Sequence, residues 1–203
     1  MINLNVRLER NGEFVFVGRI TGTDSSDSRF NYSEEYLKRK DASMISLSLP
    51  LQKEPFTPSR TRNFFEGLLP EGFTRHTVAQ WLHADEEDYL SILHGLGREC
   101  LGALCITERD EHTQASYQRI TEKEIRELAA EGAAKSAELI TSSHLSLAGA
   151  SGKAGLYYDD ETNTWYLPRG TAPSTHIVKQ SHVRLDSIVT NEVTIQILQA
   201  ASH

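Results

Sequence analysis

The sequence predicts an α+β fold made of two parts in succession, and three observations support this class. The chain opens with alternating apolar and polar residues, apolar residues at helical spacing fill the section 63–96, and strand-prone segments return after residue 145. Alternation is the period of a half-buried strand, whereas apolar residues three or four positions apart share one face of a helix. The polar segment 108–117 separates the two parts, so we predict domains at residues 1–110 and 111–203.

The first part is predicted to begin with a two-stranded ribbon. Residues 2–8 alternate in polarity, Asn11-Gly12 follows, and residues 14–17 are β-prone. An Asn-Gly pair between two such runs is typical of a tight hairpin, because its residues adopt the positive φ that the turn requires.

Two further strands are predicted before the helices begin. The polar residues 21–29 predict a loop, and residues 30–39 are expected to form a short strand followed by a turn. The run ISLSLPL at 45–51 alternates again, so it predicts a strand that stops at Pro50.

Helices dominate the rest of the first part. Apolar spacing predicts helices over 63–69 and 74–83, separated by the Pro-Glu-Gly sequence at 70–72. A third helix is predicted over 85–96, with Asp85 as its N-cap and a glycine at its end. Residues 102–107 then predict a strand.

The second part starts with a predicted helix and is otherwise rich in strands. The sequence TEKE at 121–124 has the form of a capping box, so a helix should begin there and run toward Ile140. Strands are predicted at 145–147, 156–158, 165–167 and 176–179, with a turn at 159–163. Residues 191–201 predict a final helix.

Composition narrows the possible functions. The formal net charge of −7 over 203 residues argues against a general electrostatic grip on nucleic acid. The sequence has no run of about 18 apolar residues, and its alternating N-terminus differs from the continuous apolar core of a signal peptide. We therefore expect a cytoplasmic protein that binds neither a membrane nor nucleic acid directly.

Cys100 and Cys105 are interpreted as small core residues, and no metal site is predicted.

The stretch LSLAGASGKAGL at 145–156 bears most directly on function. It fails the phosphate-loop pattern GxxxxGK[ST], because Leu147 stands where the first glycine belongs and Ala154 replaces the hydroxyl that binds magnesium. It also fails the dinucleotide pattern GxGxxG at Leu147. A small-residue loop between antiparallel strands can still fold over nucleotide phosphates, since its backbone N–H groups can point at phosphate oxygens.

Protein kinases combine such a loop with a lysine from a later strand and a glutamate from the following helix. Lys179 lies on a predicted strand and Glu192 in the first turn of the next predicted helix. The order of loop, lysine and glutamate is therefore that of a kinase N-lobe. The alternative interpretation is an ordinary turn between two strands and a solvated lysine.

Six runs of the sequence occur in the order found in one protein family. They are SLSLPLQ (46–52), NFFEGLLPEG (63–72), GRECLGAL (97–104), SLAGASGK (146–153), LPRGTAPSTHIVK (167–179) and NEV (191–193). On these runs the chain resembles HipA, the serine/threonine kinase toxin of type II toxin–antitoxin modules. The resemblance implies a strand-rich HipA N-terminal domain at 1–110 and an incomplete protein-kinase-like N-lobe at 111–203.

The resemblance also implies a site and its partners. The implied ATP-binding residues are Ala148, Gly149, Ala150, Ser151, Gly152, Lys153 and Lys179, with Glu192 orienting Lys179. Ser146 corresponds to the serine that the family autophosphorylates, where about two added negative charges would repel the ATP phosphates. The implied cofactors are ATP and Mg²⁺. The implied partners are a HipB-like antitoxin and, as protein substrate of the parent kinase, a tRNA synthetase.

Phosphoryl transfer also needs a catalytic aspartate and magnesium ligands. Kinase-like folds place them in a C-terminal lobe, and the sequence has no match for them after Glu192. We therefore predict no catalytic residue and no magnesium ligand here, and we expect the N-terminal part of a HipA-like kinase that is inactive alone. The alternative is a non-catalytic binding or regulatory module that engages a HipA-type kinase or its HipB-type antitoxin.

Overall fold

The computed structural model describes residues 1–10, 13–96, 103–108, 115–131, 153–170 and 172–179. The strands in these residues are β1 (Ile2–Arg10), β2 (Glu13–Gly22), β3 (Arg29–Tyr32), β4 (Leu104–Thr107), β5 (Ser116–Ile120), β6 (Lys153–Asp159), β7 (Thr164–Arg169) and β8 (His176–Lys179). The helices are α1 (Glu34–Leu37), α2 (Pro58–Glu66), α3 (Gly72–Leu82), α4 (Tyr89–Leu96) and α5 (Glu122–Glu131). These elements confirm the predicted α+β class. The limits of the domains and the kinase-like N-lobe stay predictions.

The first sheet has the strand order β3-β2-β1-β4, and all its neighbouring strands are antiparallel. Arg10 pairs with Glu13, which leaves two residues between β1 and β2 and confirms the predicted hairpin. Leu4 and Val6 are buried as predicted, but Asn5 and Arg7 are buried as well, so burial in β1 does not alternate. Gly18 lets β3 approach closely, because a Cβ atom at that position would collide with the Asn31 carbonyl oxygen.

One hydrophobic core joins the first sheet to the four helices that follow β3 in the chain. Its aromatic residues come from strand β3, three of these helices and the loop before α2. These rings are Phe30, Tyr32, Tyr36, Phe56, Phe65 and Tyr89. Several of them meet edge to face, a geometry that adds to the stabilisation from burial alone. The Phe30 and Tyr32 centroids, for example, are 4.9 Å apart at 73°.

The strand predicted at 45–51 is wrong, and the tertiary hydrogen bonds explain why. The segment forms a turn in which the Leu49 N–H donates to the Ser46 carbonyl at 3.0 Å. The Tyr32 hydroxyl donates to the Leu49 carbonyl at 2.7 Å and accepts from the Ile45 N–H at 3.0 Å. Because these groups are satisfied by a buried tyrosine, the segment needs no neighbouring strand.

The predicted helices exist, but their first residues differ from the prediction. Helix α2 begins at Pro58, before residue 63, because Thr57 caps it by accepting from the Arg60 N–H and proline suits the first helical position. Helix α4 begins at Tyr89 rather than near Asp85, since it is the Asp88 carboxylate that accepts from the Ser91 N–H at 3.4 Å.

The turn after β3 differs from the prediction in detail, whereas the burial of Cys105 agrees with it. The turn expected after β3 is the four-residue helix α1, capped where the Ser33 hydroxyl accepts from the Tyr36 N–H. Cys105 is fully buried in β4, as predicted, and burial raises the pKa of its thiol. Cys100 lies outside the described residues.

The second sheet has the strand order β5-β7-β6-β8, again with antiparallel neighbours. Its core is small: Ile120, Leu156 and Leu167 are buried, and Ile125, Trp165 and Val178 pack against them. The turn predicted at 159–163 joins β6 to β7, with Asn163 at a φ of 49°.

Helix α5 confirms the predicted capping box. The Glu124 N–H donates to the Thr121 hydroxyl at 3.3 Å, and the Thr121 N–H donates to the Glu124 carboxylate at 2.8 Å. These reciprocal bonds satisfy two backbone donors at the start of the helix. The continuation predicted toward Ile140 and the helix predicted at 191–201 lie outside the described residues.

Candidate functional site

The candidate site lies where strand β6 begins and strand β8 ends. Lys153 is the first residue of β6 and Lys179 is the last residue of β8, and the two are direct partners in the antiparallel ladder. Directly opposed residues share one face of a sheet and have Cβ atoms about 4.5–5.5 Å apart. The fold thus brings together two lysines that are 26 positions apart in the sequence.

The pairing also fixes which other residues share the face of the two lysines. Side chains alternate between the faces of a strand, so Gly155 and its partner Ile177 lie on the lysine face. Leu156 and Val178 lie on the opposite face, where they belong to the small core. Ile177 is 59% exposed, so this part of the lysine face is accessible.

The residue types at this backbone pairing are the kind that an anion suits. Two like charges at directly opposed positions of a sheet destabilise the pairing. An anion held between them offsets that repulsion, and a phosphate group can accept hydrogen bonds from both ammonium groups.

The loop before β8 is fastened to the lysine face and to β6. The Tyr117 hydroxyl donates to the Pro173 carbonyl at 3.2 Å, although the two residues are 56 positions apart. A Cβ atom at Gly155 would lie only 3.0 Å from the Ser174 hydroxyl oxygen, so glycine leaves room for this loop. The Thr175 N–H donates to the Leu156 carbonyl at 2.9 Å.

Aromatic residues flank the loop on both faces of the second sheet. Tyr117 lies 4.5 Å from Tyr157 on the lysine face, measured between ring centroids. Burial, followed by the proximity of Tyr157, raises the pKa of Tyr117, which keeps its hydroxyl protonated as a donor. On the core face the His176 ring lies 5.2 Å from Trp165 and 6.0 Å from Tyr158.

The turn between β6 and β7 is stabilised by the Asp159 carboxylate. It accepts from the Thr162 hydroxyl at 2.7 Å and from the Glu161 N–H at 3.0 Å. These hydrogen bonds favour the ionised form and lower the pKa of Asp159. The turn therefore holds β6 against β7 at the end of the hairpin remote from the lysines.

The predicted site residues divide into two that the structure places and others that it does not describe. Lys153 and Lys179 are placed together, as described above. The remaining predicted residues, Ser146, Ala148, Gly149, Ala150, Ser151, Gly152 and Glu192, lie outside the described residues, and their roles stay predictions.

Sequence reasoning missed Tyr117 and Thr175 as parts of this site. Thr175 precedes the HIVK run and carried a weak signal, because a threonine next to a short strand can bond to the backbone. Tyr117 carried no signal, since its partner Pro173 is distant in the sequence.

The described residues contain no cluster of metal-ligating side chains and no helix long and apolar enough to cross a membrane. Both ring nitrogens of His76 are engaged by neighbouring side chains: Nδ1 lies 2.5 Å from the Glu86 carboxylate and Nε2 lies 3.0 Å from the Gln80 amide. His83 terminates helix α3 with a φ of 53°.

Comparison with known proteins gives a family match over the first sheet and its helices. The model of the HipA N-terminal domain matches residues 5–107. A Sinorhizobium fredii protein named "Putative kinase Y4mE" is 30% identical over 194 residues, which cover 91% of this chain and 46% of the relative. A Haemophilus influenzae protein named "Uncharacterized protein" is 32% identical over 104 residues, which cover 50% of this chain and 94% of the relative. The chain thus spans about half the length of the Sinorhizobium relative.

Proposed function

The chain belongs to the family of proteins that carry the HipA N-terminal domain, and we propose that it is the N-terminal part of a HipA-like serine/threonine protein kinase. In this proposal the second sheet holds the phosphates of ATP between Lys153 and Lys179. The loop 148–152 lies over the phosphates, and Glu192 orients Lys179. A lobe supplied from elsewhere provides the catalytic aspartate and the ligands of Mg²⁺.

The observation that carries the proposal is the pairing of Lys153 with Lys179. Two lysines at directly opposed positions repel each other and destabilise the strand pair, but the same pair of charges suits a polyanion as ligand. The match to a relative named as a kinase extends over 91% of the chain, so it includes the second sheet as well as the family domain.

The test is to measure the affinity of the 203-residue protein for ATP and for adenosine by calorimetry. We expect Lys153→Ala and Lys179→Ala each to weaken ATP binding about tenfold or more, because each removes a charge-assisted hydrogen bond. Adenosine binding should change little, since adenosine has no phosphate. Lys40→Ala, an exposed lysine in the first part of the chain, is the matched control for the change in net charge.

Equal ATP affinity in the wild type and both lysine variants would contradict the proposed phosphate site. A loss of ATP and adenosine affinity by the same factor would also contradict it, because the lysines would then act through the fold. A HipB-like antitoxin as partner and a tRNA synthetase as substrate remain part of the proposal for the whole kinase.

A second candidate function is a non-catalytic module that binds a HipA-type kinase or its HipB-type antitoxin. The observation that favours it is the Haemophilus relative, since a match to half of this chain covers 94% of that protein. Pull-down of a HipA-type kinase in the absence of ATP distinguishes the two functions. Tight binding that survives Lys153→Ala would favour the module, and no binding would favour the kinase part.

A further inference from the structure

We infer that Thr175 is a positioning residue that fixes the register of strand β8 and thereby sets which face of the second sheet carries Lys179. The inference concerns strand pairing, and only its consequence for ligand binding rests on the proposed function. Its basis is a four-residue strand whose two apolar side chains do not specify one register.

The two apolar residues of β8 do not by themselves select its register. A shift of one residue moves every side chain of a strand to the other face, so burial usually fixes the register where one face is apolar. In β8 the adjacent residues Ile177 and Val178 are both apolar and β-branched. A slip by one residue would exchange Val178 for Ile177 in the small core, and either side chain can fill it.

Thr175 selects one register through two hydrogen bonds to β6. Its N–H donates to the Leu156 carbonyl at 2.9 Å. Its hydroxyl accepts from the Tyr158 N–H at 2.9 Å, so a single residue contacts β6 at two sites. The hydroxyl oxygen also lies 2.8 Å from Nδ1 of His176. Because the oxygen accepts from Tyr158, its own hydrogen is available to donate to that nitrogen.

The packing of the neighbouring residues supports the same register. The His176 ring rests against Tyr158 and Trp165 at 6.0 and 5.2 Å, on the core face. The Pro173 carbonyl accepts from Tyr117, which limits sliding of the loop that leads into β8. These contacts orient β8, while the Thr175 hydroxyl supplies the side-chain hydrogen bond that a slip by one residue must break.

The consequence of a slip falls on the lysine pair. In the observed register Lys179 is opposite Lys153, whereas a one-residue slip moves Lys179 to the core face and separates the two charges. If the pair binds ATP phosphates, as proposed above, the Thr175 hydroxyl controls phosphate affinity without touching the ligand.

The register is measured directly by NMR, through backbone NOEs between residues 153 and 179 in the ligand-free protein. We expect Thr175→Val, which is nearly isosteric but accepts no hydrogen bond, to shift the ratio of registers about 3- to 10-fold toward the slipped form. Thr175→Ser keeps the hydroxyl and should retain the native NOEs. Thr175→Val/Ile177→Thr should restore them, because Val178 is then the sole apolar candidate for the core.

Unchanged 153–179 NOEs in Thr175→Val would overturn the inference. If that variant does not fold, the double variant decides, and the absence of native NOEs in it would overturn the inference as well. ATP titration separates this result from the proposed function. Slipped NOEs with weaker ATP binding and unchanged adenosine binding support both ideas, whereas slipped NOEs with unchanged ATP binding confirm the register role and refute the phosphate site.

Discussion

Removing the hydroxyl group should destabilise the protein at one buried tyrosine but not at another. Tyr32 and Tyr89 both lie in the core of the first part and are 1% and 0% exposed. The Tyr32 hydroxyl makes two hydrogen bonds to the 45–51 turn. The Tyr89 hydroxyl has no hydrogen-bond partner among the described residues. Substitution by phenylalanine keeps both rings, including the contact of Tyr89 with the Arg62 guanidinium at 5.6 Å.

The structure gives the size of each effect. Tyr32→Phe leaves the Leu49 carbonyl unsatisfied in a fully buried residue, which costs about 1–3 kcal/mol, while the half-buried Ile45 N–H can recover part of its loss from water. We therefore expect a destabilisation of about 2–3 kcal/mol. Tyr89→Phe removes a buried hydroxyl that finds no hydrogen-bond partner among the described residues, so the free energy of unfolding should stay constant or rise by about 1 kcal/mol.

Urea denaturation followed by circular dichroism measures both variants. The m-value should be unchanged, the midpoint of Tyr32→Phe should fall, and the midpoint of Tyr89→Phe should stay constant or rise. Tyr32→Phe within about 0.5 kcal/mol of the wild type would refute the role given to the Tyr32 bonds. A loss above about 1 kcal/mol in Tyr89→Phe would show that its hydroxyl is satisfied.

Three further predictions concern the same part of the chain. Gly18→Ala should destabilise it by about 2–3 kcal/mol in thermal unfolding, because the new Cβ meets the Asn31 carbonyl, whereas Gly67→Ala should be neutral or stabilising since its nearest atoms are 3.4 Å away. Hydrogen bonds from Arg62 and Arg75 hold the pKa of Glu66 below its ordinary value of 4.5, so the stability that this carboxylate contributes is lost as the pH falls through the lower pKa. Glu66→Gln should therefore make the free energy of unfolding less dependent on pH between about pH 6 and pH 2. Burial raises the pKa of Tyr89 to about 12, so the folded state disfavours the ionised phenolate. Ionisation of Tyr89 therefore leaves the free energy of unfolding unchanged below pH 10.0 and lowers it as the pH rises toward 12. Tyr89→Phe should reduce this alkaline loss of stability, measured by circular dichroism.

Local sequence signals predicted the elements whose cause is also local. Asn11-Gly12 supplies the two residues that connect the paired strands β1 and β2. The sequence TEKE at 121–124 forms the reciprocal hydrogen bonds of a capping box. The segment 45–51 shows the opposite case. Its alternation is that of a strand, but the Tyr32 hydroxyl forms hydrogen bonds with the Leu49 carbonyl and the Ile45 N–H, which in a strand would bond to a neighbouring strand.

The candidate site shows the same division. The order of loop, lysine and glutamate predicted Lys179 as functional, and the resemblance to the HipA family implied the same for Lys153. The sequence could not predict that they are direct partners, since two adjacent β-branched residues in β8 are compatible with two registers. Contacts from distant residues decided that question, above all the hydrogen bond between the Tyr158 N–H and the Thr175 hydroxyl.

By itself, the sequence determined the α+β class, the first hairpin, the helix cap at residue 121 and the resemblance to the HipA family. Each of these depends on residues within a few positions of one another or on a linear order of motifs. Only the tertiary structure decided the turn at 45–51, the pairing of the two lysines and the burial of a Tyr89 hydroxyl that has no hydrogen-bond partner within the described part of the chain. The physical reason is that hydrogen bonding and desolvation depend on which groups meet in space, and neither the spacing nor the composition of a sequence specifies those encounters.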